Sequence, residues 1–207
     1  MKILLCILIG YLVGTLNPAA LISKIKQKNL REHGTGNLGA TNTMLVFGKA
    51  FGGLVLLLDI LKSFAVYRFT SLLVPTPSWL AMASGLAAVL GHCFPFYLKF
   101  KGGKGLAAFA GLVLAYRPSL FLFLLVTGVL LMLLVNYSFI LPFYAAAFFC
   151  AYTAVREGIG MSFALSTLAA LLIIVMHFGN FLRARKGEDN KIREYLQGKR
   201  LHSGNPR

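Results

Sequence analysis

Gly91-His92-Cys93-Phe94-Pro95-Phe96-Tyr97-Leu98-Lys99-Phe100-Lys101-Gly102-Gly103-Lys104-Gly105 is the stretch on which the reading of this chain turns. A long apolar run precedes it, and the sequence becomes apolar again directly after it. It holds His92, Lys99, Lys101 and Lys104 beside Gly102, Gly103 and Gly105, and no carboxylate. Glycines let amide N–H groups converge on a small anion, and lysines place positive charge next to them. Two readings follow: a phosphate-binding loop at a membrane surface, or a basic turn between helices that only fixes their orientation. It is not a Walker A loop, because Gly105 follows Lys104 and no glycine stands at the required offset. An anion nest over residues 101–105 that opens a helix would also gain the partial positive charge of the helix N-terminus. His92, at the end of an apolar run, is either a donor to phosphate or a structural histidine.

Outward from that loop, composition fixes the class. The 207 residues are 57% hydrophobic and 13% charged, about half the charge of a soluble globule, so the chain is an integral membrane protein. Its net charge of +15 comes from 21 basic against 6 acidic side chains. In a soluble protein that excess would point to nucleic acid; here no nucleic acid is expected, and the charge serves to hold loops on an anionic, cytoplasmic face. Cys6, Cys93 and Cys150 are odd in number and lack metal-type spacing, which argues against a structural disulfide and against a metal site. The N-terminal apolar stretch has no convincing cleavage site and reads as a retained span.

The fold class expected is all-α and polytopic, a single membrane-embedded domain over residues 1–207 with seven transmembrane helices. These are Ile3–Ile22, Ala50–Leu73, Trp79–Phe94, the short Leu106–Tyr116, Ser119–Val135, Phe139–Val155 and Met161–Phe181. Asn17-Pro18 is expected to break the first, and Gly10 with Gly14 to seat a close helix crossing. Basic residues concentrate at 24–49, at 99–104 and from Arg183 onward. That asymmetry places all three segments in the cytoplasm, and parity over seven spans places the N-terminus outside and the C-terminus inside.

Three further constellations carry polar chemistry. His33-Gly34-Thr35-Gly36-Asn37-Leu38-Gly39-Ala40-Thr41-Asn42 contains G-x-G-x-x-G, but no strand precedes it and no βαβ unit surrounds it, so a dinucleotide site is excluded. Its glycines can wrap an anion while Thr35, Asn37, Thr41 and Asn42 offer neutral hydrogen bonds; a flexible loop whose Thr or Asn caps a helix is the alternative. His177, Asn180 and Arg183 recur every third residue and form one polar stripe on the last helix, costly in lipid unless something polar meets it. Snorkelling by Arg183 is the alternative there, and it leaves His177 and Asn180 unexplained. Asp59 and Lys62 lie on one face of the second span and read as a mutually neutralising structural pair. The inventory suits binding two phosphate-bearing groups. It offers no histidine with an evident carboxylate partner.

These blocks together resemble the bacterial membrane acyl-phosphate:glycerol-3-phosphate acyltransferase family over essentially the whole chain. Residues 34–42 look like its first block, Gly91 to Gly105 its second, and His177, Asn180, Arg183 and Gly187 its third. The resemblance implies transfer of a fatty acyl group from acyl phosphate to the 1-hydroxyl of sn-glycerol 3-phosphate, giving lysophosphatidic acid and phosphate, without cofactor or metal. Implied partners are the two substrates and membrane lipid, with functional coupling to the enzyme that forms acyl phosphate and no obligate protein partner. Implied catalytic residues are Thr35, Asn37, Lys104 and His177. Substrate-binding residues are Gly34, Gly36, Gly39, Thr41, Asn42, His92, Lys101, Gly102, Gly103, Gly105, Asn180, Arg183, Gly187 and Asp189. The chain departs from the family at Thr35, where serine is usual, and at Leu45, where a phosphate-binding arginine is usual; Lys49 or Arg31 could replace it. The family's third-block acid corresponds to Asp189, with Glu188 beside it. Acyl transfer of this kind needs mainly alignment and charge stabilisation, with the hydroxyl proton passing to His177 or, preferably, to a substrate phosphate oxygen. The rival from another class is a transporter for a small organic phosphate, which would need a midplane site and an internal repeat that the sequence does not display.

Overall fold

The computed structural model describes residues 1–187, and every regular element among them is helical. They fall into two compact units, residues 1–118 and residues from 119 onward. The first contains α1 (Lys2–Thr15), α2 (Pro18–Ile25), α3 (Ala40–Phe47), α4 (Lys49–Leu73), α5 (Leu80–Cys93) and α6 (Leu106–Tyr116). Single 3₁₀ turns at Leu30–Glu32 and Phe96–Leu98 lie between α2 and α3 and between α5 and α6.

The break expected at Asn17-Pro18 divides α1 from α2. Proline lacks an N–H, and Asn17 caps the new helix by accepting from the Ala20 N–H at 2.8 Å. That bond turns the Ala20 amide away from the Leu16 carbonyl, which takes the Lys62 ammonium of α4 instead, at 2.7 Å. The Thr15 carbonyl accepts from the Tyr97 hydroxyl at 2.6 Å, and Tyr11 donates to the Phe94 carbonyl at 2.8 Å. In a bilayer such carbonyls have no water to turn to, so these bonds are what permits the break.

α5 is the post of this unit. Its span is 78% buried within the protein, against 17–33% for the other long apolar helices. Small residues let α1 lie close on it: a Cβ on Gly10 would meet the Ser84 carbonyl at 2.5 Å, and one on Gly14 the Ala88 carbonyl at 2.1 Å. α4 turns Gly52, Val55, Asp59, Lys62, Ser63, Val66 and Thr70 inward, one helical stripe that packs against α3, α5 and α6.

In the second unit α7 (Pro118–Val135), α8 (Ile140–Glu157) and α9 (Met161–Arg185) pack in sequence. Thr127 and Tyr144 hydroxyls meet at 2.8 Å between α7 and α8, beside Gly128. Thr153 meets Ser166 at 2.6 Å and Cys150 meets Thr167 at 3.2 Å between α8 and α9. All three cysteines are free thiols.

The expected count of seven crossings is corrected. Among the described residues five stretches are long and apolar enough to span: Lys2–Ile25, Lys49–Leu73, Leu80–Leu98, Pro118–Val135 and Met161–Arg185. Leu106–Tyr116 has 11 residues, about half the hydrocarbon core at roughly 1.5 Å each. α8 has the length, but Tyr144, Tyr152, Thr153, Arg156 and Glu157 dilute its apolar character. Five is odd, as seven is, and two of the five stretches separate residues 99–104 from the end of α9, so by parity the two termini are expected on opposite sides at either count.

The α1–α5 crossing makes a prediction. Gly14→Ala should destabilise the protein by about 1–3 kcal/mol, because its Cβ must displace backbone rather than a flexible side-chain end. Gly53→Ala, which meets nothing within 4 Å, serves as the control. Thermal unfolding in detergent checks the pair, and equal midpoints would refute the close crossing.

Candidate active site

The first glycine loop is built around Asn42, which is completely buried at the start of α3. Its Oδ1 accepts from the Thr35 N–H at 2.7 Å and its Nδ2 donates to the Leu30 carbonyl at 2.8 Å. Both ends of the amide are therefore spent on the loop, and Asn42 shapes the site rather than presenting itself to a ligand. Gly34 has φ +62°, and a Cβ there would lie 2.2 Å from Asn42 Oδ1, so the loop closes over this side chain only with glycine. Thr35 and Thr41 are exposed and Asn37 is half-buried, so these three offer their side chains outward. Gly36 is the other left-handed glycine of the loop, and Gly39 is the N-cap residue of α3 in extended backbone.

The lysine-glycine loop doubles back on α5. Lys99 and Phe100 turn it in left-handed backbone, after which Gly102 N–H donates to the Cys93 carbonyl at 2.9 Å and Gly103 N–H to the His92 carbonyl at 3.2 Å. The nest expected over residues 101–105 is corrected to this extent: the amides of Lys101, Gly102 and Gly103 all bond to carbonyls of the loop or of α5. Donors for an anion come instead from the first turn of α6, which begins after Gly105 at φ +86° and has no side-chain cap. Lys104, half-buried, stands at that entrance.

The two loops touch. The Arg31 guanidinium donates to the Lys101 carbonyl, and Gly103 lies against the Leu38 carbonyl, 2.9 Å from where a Cβ would be. Asn17, from the α1–α2 break, donates to that same Leu38 carbonyl at 3.4 Å. An open groove of about 380 Å³ adjoins both loops, lined by Lys24, Lys28 and Arg31 together with Ser23, Gln27 and Leu98. Leu45 is half-buried in α3 and Lys49 exposed at the start of α4; of the two cations named as replacements at Leu45, Arg31 is the one that bridges the loops.

Beneath the second loop lies a cluster that sequence spacing does not reveal. His92 is 3% exposed, with Nδ1 at 3.1 Å from Asp59 Oδ1 and 2.9 Å from Lys62 Nζ. Lys62 and Asp59 are 2.7 Å apart. Asp59 and Lys62 do neutralise each other, as expected, but the histidine–carboxylate pair that seemed absent exists between residues 33 apart in the chain. The only sign of it in the sequence is that both residues stand in apolar spans, where a polar group needs a partner.

The second unit presents the α9 stripe. His177 is buried, and its Nδ1 lies 2.9 Å from the Ile173 carbonyl. A carbonyl only accepts, so Nδ1 carries the proton and a neutral ring has its lone pair on Nε2. Arg183 donates to Asn180 Oδ1 at 2.8 Å, which confirms that these residues share a face. Gly187, at φ +73°, follows the Lys186 C-cap of α9 and donates to the Ala184 carbonyl at 3.0 Å. Asp189 and its neighbour Glu188 lie outside the described residues.

Comparison with known proteins gives a consistent result. The family model described as glycerol-3-phosphate acyltransferase matches residues 4–187. A glycerol-3-phosphate acyltransferase of Streptococcus thermophilus (strain CNRZ 1066) is 38% identical, with 93% of this chain and 94% of the relative covered. One of Staphylococcus haemolyticus is 35% identical, covering 93% and 99%. Among solved structures, the glycerol 3-phosphate form of PlsY (YgiH), an integral membrane glycerol 3-phosphate acyltransferase, superposes with a TM-score of 0.89. It is 30% identical, with coverage of 97% of this chain and 100% of that one. The lysophosphatidic acid form gives 0.84 at 31% identity, covering 92% and 95%.

Asn42→Ala should leave the Thr35 amide and the Leu30 carbonyl unpaired, at about 1–3 kcal/mol for each group that stays buried. The expected outcome is a lowered unfolding midpoint together with a loss of turnover. Full stability in the variant, measured by thermal unfolding, would show that the loop does not hang on this amide.

Proposed function

Because this chain belongs to the glycerol-3-phosphate acyltransferase family, we propose that its glycine loops hold phosphate while an acyl group passes from acyl phosphate to the 1-hydroxyl of sn-glycerol 3-phosphate. It is a multi-pass bacterial membrane protein, and the products are lysophosphatidic acid and inorganic phosphate. The observation that carries the residue assignment is the junction of the two loops, where Arg31 binds the Lys101 carbonyl and Gly103 abuts Leu38. That junction brings Gly103, the neighbour of Lys104, against the carbonyl of Leu38, the neighbour of Asn37. A phosphate there meets amide donors and an ammonium, while the hydroxyl and amide of Thr35 and Asn37 orient glycerol phosphate. The basic groove of Lys24, Lys28 and Arg31 admits the doubly charged acceptor.

The bonds exchanged are simple. The acceptor oxygen attacks the acyl carbon, the carbon–oxygen bond to phosphate breaks, and the hydroxyl proton leaves for a base. Phosphate is already a good leaving group, so the rate gain comes from alignment and from stabilising negative charge as it returns to phosphate. Lys104 supplies that stabilisation. We assign the proton to a substrate phosphate oxygen. The Ile173 carbonyl fixes the tautomer of His177.

Lys104→Ala should lower kcat by about 10²-fold or more, with Lys104→Arg a partial rescue, since a guanidinium fork replaces a point charge between glycines. His177→Gln should keep measurable turnover. Assays use protein in lipid, fresh acyl phosphate and labelled glycerol 3-phosphate, with spontaneous hydrolysis subtracted. Abolished transfer in folded His177→Gln, with a wild-type acidic limb near the histidine reference of about 6.5, would make His177 the base.

The active face is assigned to the cytoplasm, on the excess of lysine and arginine in the segments that carry the loops. Lys99→Cys, an exposed position, in a chain otherwise free of cysteine should resist an impermeant thiol reagent in intact cells and react once they are opened. Labelling of intact cells would reverse the assignment.

A further inference from the structure

We propose that Asp59 and Lys62 are positioning residues for acyl transfer, acting through His92 on the loop that carries Lys104. The proposal rests on the glycine loops being the phosphate-holding surface. A buried ion pair is a poor source of stability, because well-packed apolar side chains of similar volume commonly do as well or better. This one stands inside a membrane helix, at 1% and 8% exposure, and its geometry explains why it is there.

The two charges act on one ring. Asp59 Oδ1 is shared between Lys62 Nζ at 2.7 Å and His92 Nδ1 at 3.1 Å, and Lys62 Nζ lies 2.9 Å from the same Nδ1. Whether Nδ1 donates to the carboxylate or accepts from the ammonium, the ring plane is fixed from that edge. The other edge meets Gly103: a Cβ there would fall 2.2 Å from His92 Nε2, so ring and loop backbone are in direct contact. The His92 carbonyl also accepts the Gly103 N–H. The residue immediately before Lys104 is thus held twice by His92, by backbone and by ring.

The same pair reaches the first loop. Lys62 holds the Leu16 carbonyl at the α1–α2 break, and the adjoining Asn17 holds the Leu38 carbonyl against which Gly103 packs. One ion pair therefore sets the position of both loops. A group that orients a catalytic cation needs no contact with substrate to govern the rate, since displacement by about 1 Å can cost on the order of 10²-fold.

The test is D59L/K62M, which removes both charges while keeping volume and burying no lone ion. It is run beside wild type, K104A and H92N, whose shorter amide can still meet Asp59 but leaves the Nε2 edge empty. Positioning predicts that D59L/K62M and H92N each lose about 10- to 100-fold in kcat with KM for both substrates within about threefold. It also predicts that the triple variant loses less than the product of the two separate losses, because the pair's hold on the Lys104 loop runs through the ring and only its hold on the Leu16 carbonyl does not. Near-wild-type kcat in D59L/K62M, or additive losses in the triple variant, overturns the proposal. If D59L/K62M does not insert, D59N replaces it in the same cycle with H92N and is judged by the same non-additivity. K104A at wild-type turnover would instead remove the loop reading, so the two failures are distinct.

Discussion

A bilayer has no water to accept an unpaired peptide group, and the first unit is organised around one place where its chain leaves such groups open. Pro18 ends α1, Asn17 captures the amide that would have closed the helix, and the carbonyls of Thr15 and Leu16 are left bare. Their partners come from far along the chain: Tyr97 beyond α5 and Lys62 in the middle of α4. The lysine cannot sit there alone, which brings Asp59, and the carboxylate in turn takes the buried edge of His92. One unsatisfied helix end accounts for a polar cluster spread over three helices. It also explains why that cluster lies directly under the glycine loops.

Around this cluster the packing is of the membrane kind. Glycine and alanine bring α1 onto α5, and the Thr153–Ser166 hydroxyl pair joins α8 to α9, where lipid gives no hydrophobic reason for helices to associate. Apart from the Asp59–Lys62 pair and Arg68 in α4, charge among the described residues is kept to the loops and helix ends. Lys24, Lys28, Arg31, Lys99 and Lys101 lie outside the long apolar stretches, with Lys24 alone in the last turn of one. The division leaves a neutral interior for an acyl chain and a basic edge for phosphate, the two halves of a substrate that is itself amphipathic.

Much of this could be read from the residues. The Asn17-Pro18 break, the glycine stripe of α1, the α9 face of His177, Asn180 and Arg183, and the polar character of both loops all follow from local chemistry, which a sequence states directly. What could not be read was long-range or geometric. Nothing in spacing links Asp59 to His92 or Arg31 to Lys101, because each pair meets only when helices pack. The direction of the Gly102 and Gly103 amides was equally hidden: glycine permits a nest, but whether its N–H groups face a ligand or a carbonyl depends on where the chain turns. The count of crossings failed because charge parity treats every apolar segment alike. α6 is too short and α8 too polar to meet the requirement of length and apolarity.

The engagement of Gly102 and Gly103 with the end of α5 bears on how the protein cycles. A loop of free glycines would have to give up its conformational freedom each time a phosphate arrived, and would regain it each time one left. Here much of that entropy is surrendered when the chain folds, because the Cys93 and His92 carbonyls of α5 already hold the Gly102 and Gly103 amides. A substrate held there, as proposed, would have little ordering of the loop to set against its binding. On the proposed role of this loop, inorganic phosphate would leave behind a shape already set for the next acyl phosphate, with no refolding step between turnovers.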